Sequence, residues 1–164
     1  MSSPDKRPII VGMNNPQGNL PLWPDPPGCT GWRMWQMITE VTGCNKRQYL
    51  HAVERVNIVE GKVWSAATAR ANARALQTRL EGRTTLLLGA AVPAALGRPR
   101  QPWGSWQLGY FGRYAVIPHP SGLNRWYNEQ FNRALAQRIL VEVFDEGRRA
   151  LGLPLLRLGG SDEG

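Results

Sequence analysis

Cysteine is scarce in this chain: there are two, Cys29 and Cys44. Two thiols cannot build a disulfide framework or, on their own, a cysteine metal site. A single bridge between them is open, but nothing in the sequence requires one. Histidine is equally scarce, at His51 and His119. No apolar run approaches the ~18 residues that a membrane span needs, and the short polar stretch from Met1 to Arg7 has no signal-peptide pattern. The expectation is a reduced, intracellular protein with no membrane association. Negative charge is also in short supply, with 12 acidic against 20 basic residues and a net charge of +8. Nearly all the basic residues are arginine, which grips phosphate with a two-pronged fork and stacks on flat rings. A basic domain of this kind is expected to bind nucleic acid.

What the chain does have is enough length and apolar content for one packed domain. It runs to 164 residues, 42% hydrophobic and 20% charged, so residues 1–164 are expected to form a single domain with flexible ends at 1–7 and 159–164. Seven tryptophans are a high number for this length. Indoles fill cores, but they also stack on bases.

The pattern of apolar runs alternates between strands and helices. Strands are expected at 8–13, 55–59, 84–88 and 114–117, each a short apolar run bounded by polar residues or glycine. Helices are expected from about Gly31 to Val41 with Thr30 as N-cap, over 45–52, over 65–80, over 91–96, and over 126–151. In the third of these, Ala67, Ala71, Ala75 and Leu76 are read as one face. The Gly-, Pro- and Trp-rich stretch 98–112, with Trp103, Trp106 and Tyr110, reads as a surface loop, with or without a short extended piece, that contacts DNA or caps a pocket. The alternation points to an α/β fold, a three-layer α/β/α arrangement around a central four-stranded parallel sheet. Ligands of such sheets bind at the carboxyl ends of the strands.

Two segments at those ends carry chemistry. The first is Gly12-Met13-Asn14-Asn15-Pro16-Gln17-Gly18, where a side-chain amide offers both donor and acceptor to a water or a base edge. Taken alone it reads as an Asn-Pro turn. The second is His119-Pro120-Ser121-Gly122-Leu123-Asn124-Arg125, between a strand and a helix start, where anions are favoured. Taken alone, His119 reads as a structural histidine, and His51 as a surface or structural one. Together, in this order and strand context, the two segments resemble the signature motifs of the uracil-DNA glycosylase superfamily, above all its mismatch-specific and single-strand-selective branches. The strand and turn from Thr84 to Ala90 also resemble an internal segment of that superfamily. The resemblance spans about residues 8 to 145.

The resemblance implies removal of a damaged or modified base from DNA by hydrolysis of its N-glycosidic bond, without a metal or organic cofactor. The superfamily's iron–sulfur branches carry four cysteines, and this chain has two. Asn14 or Asn15 would orient the attacking water; Asn14 fits by its distance from Gly12, Asn15 by its adjacency to Pro16. His119 would donate a hydrogen bond to the departing base as it becomes anionic. Ser121, Gly122 and Asn124 would hold the DNA backbone, Leu123 would fill the gap left in the stack, and Arg125 would lie beside it. Met13, Gly89 and Trp23 are the expected base-binding positions, with Trp23 in the pocket-floor loop from Pro16 to Gly28. Trp32 and Trp35 read as helix packing. Gly89 stands where a uracil-specific member carries a base-reading asparagine, so a larger or modified pyrimidine is expected to fit.

Two other readings stay open from sequence. One keeps the fold as a non-catalytic DNA-binding or modified-base-handling protein. The other is a nucleoside or nucleotide hydrolase, against which the arginine-rich charge argues. The expected partner is single- or double-stranded DNA, the expected state a monomer.

Overall fold

The computed structural model describes residues 5–14, 20–99, 101–109 and 112–156. Asn15, Pro16 and Tyr110, and the tail from Gly159, lie outside the described residues. In chain order the elements are β1 (Ile9–Gly12), α1 (Thr30–Thr42), α2 (Lys46–Ala52), β2 (Glu54–Asn57), α3 (Ala66–Leu80), β3 (Thr85–Leu88), α4 (Ala91–Ala95), β4 (Trp106–Gly109), β5 (Gly112–Ile117), a short 3-10 helix (Arg125–Asn128) and α5 (Gln130–Ala150).

The strands form one five-stranded sheet in the order β2-β1-β3-β5-β4. Four of them run parallel: Gly12 lies opposite Asn57, Val11 opposite Leu87, and Leu88 opposite Ile117. The sheet differs from the four-stranded expectation by the fifth strand. β4 pairs antiparallel with β5, Trp106 opposite Ala115. The sequence left only a short extended piece open in this stretch, because a half-exposed edge strand between Gly104 and Gly109 has no continuous apolar run, and its Leu108 points to solvent.

β1 and β3 are buried at every position, as inner strands of a sheet covered on both faces must be. Alternate residues divide between two cores. Ile10, Leu86, Leu88, Ala115 and Ile117 pack with Met34, Ile38, Tyr49, Leu140 and Phe144 from α1, α2 and α5. Ile9, Val11, Leu87, Tyr114 and Val116 pack with Ala69, Ala73, Leu76, Leu80 and Val92 from α3 and α4. The buried face of α3 is therefore Ala69-Ala73-Leu76-Leu80, and Ala67, Ala71 and Ala75 are exposed. Alanine suits either side of a helix, so only the two leucines carried information about the face.

Three further boundaries shift. The N-cap of α1 is Cys29, whose Sγ accepts from Trp32 N; Thr30 is the first helical residue. Gly43 closes that helix at φ 72°. The last helix is interrupted: the 3-10 turn is capped by Asn124, and Glu129 is extended before α5 starts. Both cysteines are free. Among the described residues, no helix is long and apolar enough to cross a membrane.

Candidate functional site

Because β2, β1, β3 and β5 are parallel, the segments leaving Asn57, Gly12, Leu88 and Ile117 gather on one edge of the sheet. Adjacent strands lie about 4.8 Å apart. The ends of β1 and β5 are thus on the order of 10 Å apart, with the end of β3 between them. Asn14, Gly89 and His119 lie just past three adjacent strand ends.

His119 sits between two buried prolines, Pro118 and Pro120. Tyr127 Oη donates to Pro118 O at 2.5 Å, and burial pushes the Tyr127 phenol up, away from ionisation. The His119 carbonyl accepts from Ser121 N at 2.8 Å and from Asn124 Nδ2 at 3.2 Å. The backbone on both sides of the imidazole is therefore fixed, as a preorganised donor requires. Burial lowers the His119 pKa from its ordinary value, so the ring is neutral at neutral pH. A neutral imidazole carries one N–H donor.

Gly89 adopts φ +83°, and a Cβ added there would lie 3.4 Å from the His119 Cβ. Gly89 N donates to Ile117 O at 2.8 Å. Position 89 thus lies against the Cβ and backbone of His119. The left-handed backbone explains the glycine locally: most side chains are strained there, asparagine least.

Asn14 is half-buried and donates from Nδ2 to Lys62 O at 2.8 Å. That bond ties the segment after β1 to the segment after β2 and fixes which way the amide faces. Met13 packs its side chain against the α3–α4 core and gives its carbonyl to Val59 N at 2.9 Å. Gly12 has a separate reason to be glycine: a Cβ there would lie 2.4 Å from Asn57 Oδ1. That oxygen is itself sealed from solvent with no hydrogen-bond partner among the described residues. Asn57 was not singled out from sequence; the signal was a lone amide closing the second strand.

Trp23 lies in the segment between β1 and α1, half-buried. The segment is clamped from below. A Cβ at Gly31 would fall 2.2 Å from Trp23 O and 2.3 Å from Leu22 O, so α1 is laid directly on this backbone. Tyr49 Oη donates to Leu22 O at 2.8 Å. Trp35 packs on the core and donates to Cys44 O, as a packing residue should. Trp32 instead lines a small cleft of about 60 Å³ with Arg33, Gln36 and Ser121.

The loop after β5 presents Leu123 at 94% exposure, with Gly122 and Arg125 also exposed. A leucine in water forgoes about 1.5–3 kcal/mol of burial, so its place at a loop tip is notable. Exposed large apolar residues also occur at Leu20 and Val63, each in a segment leaving the same edge of the sheet. Arg33 reaches this loop from α1: a Cβ at Gly122 would lie 2.6 Å from Arg33 Nη2. Sequence gave no sign of Arg33, because only the tertiary fold brings α1 beside Ser121.

His51 is exposed at the end of α2, far in sequence and fold from these strand ends. Among the described residues, no group of three or more His, Cys, Asp or Glu is placed to hold a metal ion. Comparison with known proteins finds no family model and no curated protein that matches the chain.

Proposed function

We propose that this protein is a DNA glycosylase of the uracil-DNA glycosylase kind, with that superfamily's three-layer fold, acting on a damaged or modified pyrimidine flipped out of DNA. The observation that carries this reading is the contact of Gly89 with His119, at adjacent strand ends and with Asn14 one strand further on. A flipped ring held between them would present its carbonyl to the imidazole and its sugar C1′ to the side of Asn14.

The chemistry follows from that placement. Water, oriented by an amide, adds its oxygen to C1′ while the C1′–N bond breaks and its electron pair leaves with the base; the proton the water gives up passes to bulk solvent. An amide cannot take the proton, so the step depends mainly on stabilising the leaving anion. The fixed, neutral His119 would donate to the base oxygen as its charge grows, which favours the transition state over the ground state. Asn14 would supply Oδ1 to the water, since its Nδ2 is engaged with Lys62; Asn15 remains the other candidate for that role.

Leu123 would enter the duplex in place of the extruded nucleotide, with Ser121 and Arg33 on a flanking phosphate and Arg125 on the backbone or the opposite base. The net charge of +8 supports the choice of DNA over a free nucleoside. Glycine at position 89 supports a substrate bulkier than uracil. The same glycine, with an amide in place of a carboxylate at position 14, also favours a second reading: a non-catalytic protein that binds modified bases in DNA. Assay of base release from oligonucleotides carrying different pyrimidines separates the two.

A further inference from the structure

A second cavity lies beside the strand-end site, on the face of the sheet covered by α4. Its volume is about 580 Å³, within the range of about 300–1,000 Å³ typical of small-ligand sites. Pro93, Pro102, Val116 and Trp103 supply apolar walls, and Arg98 and Gln101 are its polar groups. The wall is built rather than incidental. Gly104 N donates to Val116 O at 2.7 Å, which fastens the Trp103 loop to β5. Arg98 N donates to Pro93 O at 2.9 Å, which fastens Arg98 to the end of α4.

The state of Arg98 is the unusual feature. Its guanidinium stacks 4.4 Å from the Tyr114 ring centroid. Its Nη1 is sealed from solvent with no hydrogen-bond partner, and no carboxylate pairs with it among the described residues. Burial lowers its pKa. A partly buried cation without a counter-ion is costly, and an anion in the adjoining cavity would offset that cost. The remaining lining specifies the rest of the ligand. An indole and two prolines suit a flat ring, and the Gln101 amide offers a donor and an acceptor to a ring edge.

We propose that this cavity binds a nucleotide, its phosphate at Arg98 and its base against Trp103. The nucleotide is either free or part of a single strand, and the site is separate from the one centred on His119. The two sources share the same chemistry and differ in whether neighbouring nucleotides add affinity.

The full chain titrated with thymidine monophosphate, followed by tryptophan fluorescence, tests the proposal. Binding is expected, with thymidine at least about tenfold weaker for want of the phosphate. Arg98→Gln and Trp103→Leu should each weaken binding about tenfold or more, with Arg98→Lys recovering part of the loss. Gln101→Ala, at a loop position, gives a second variant should the others unfold, and should weaken binding severalfold. His119→Ala should leave it unchanged. An octathymidylate that binds tighter than the monophosphate, with the same Arg98 dependence, assigns the site to a strand; equal affinity per site assigns it to the free nucleotide. No binding of either, binding insensitive to both Arg98→Gln and Gln101→Ala, or loss on His119→Ala overturns the proposal.

Discussion

Gly89 and His119 meet across the ends of β3 and β5: a Cβ at position 89 would stand 3.4 Å from the Cβ of His119. Any side chain introduced there starts in contact with the base of the His119 side chain. Asparagine is the substitution that φ +83° tolerates best. Gly89→Asn is therefore expected to fold and to change selectivity, raising the ratio of uracil release to release of a bulkier modified pyrimidine by about tenfold or more. The measurement is the relative rate on paired oligonucleotides. An unchanged ratio would remove position 89 from the base pocket.

Burial of His119 makes a statement about pH. Its pKa is depressed in the folded protein, so the imidazole stays neutral from alkaline pH down through its ordinary value near 6.5. Base release is expected to be level over that range and to fall only below it, as the ring protonates. Stability follows the same sign. The contribution of this group is fully present above the unfolded value and is lost as pH falls through the folded one. Thermal melts of wild type and His119→Ala should therefore diverge near neutrality and converge in mild acid. An activity inflection above 6.5 would contradict a buried neutral donor.

Leu123, 94% exposed, contributes almost nothing to the packed core. Leu123→Ala is expected to leave the melting temperature within a degree or so, since exposed substitutions typically change stability by under about 0.5 kcal/mol. Release from duplex DNA should drop about tenfold, and release from a single strand, which needs no wedge, by much less. Equal losses on both substrates would assign Leu123 another role.

Arg33 lies against Gly122 and beside Ser121 on the exposed loop after β5. If it meets a phosphate, Arg33→Ala should weaken DNA binding across all sequences. The slope of log affinity against log salt should shrink by about one unit. Its loss should not unfold the chain, because its side chain's one described hydrogen bond, to Gly28 O, lies in a surface segment. A slope identical to wild type would place Arg33 off the DNA path.

Some of this was legible in the sequence and some was not, for definite reasons. The parallel core was readable because β1 and β3 are unbroken apolar runs, and their glycines and amides mark where they end. The segments bearing Asn14, Gly89 and His119 were readable for the same reason: chemistry at strand ends stands out against apolar strands. β4 was legible only as an optional extended piece within a loop, since an edge strand half in solvent carries no periodic signal. The face of α3 was misread because alanines at 67, 71 and 75 repeat with the same period as the buried 69 and 73. The N-cap at Cys29 was missed because a thiol accepts more weakly than the hydroxyl of Thr30. The break before α5 has no glycine or proline to announce it. Arg33 needed the fold itself, since its neighbour Gly122 is far away in the chain, whereas Asn57 had a weak signal as the lone amide closing β2.

The most direct test of the central claim is base release from labelled oligonucleotides carrying uracil, hydroxymethyluracil and larger modified pyrimidines, read by alkaline cleavage at abasic sites. The account predicts cleavage with at least one of these bases. It further predicts a loss of at least about a hundredfold in His119→Ala, with the native fold retained by circular dichroism. No cleavage on any substrate, with tight salt-sensitive DNA binding retained, would contradict it.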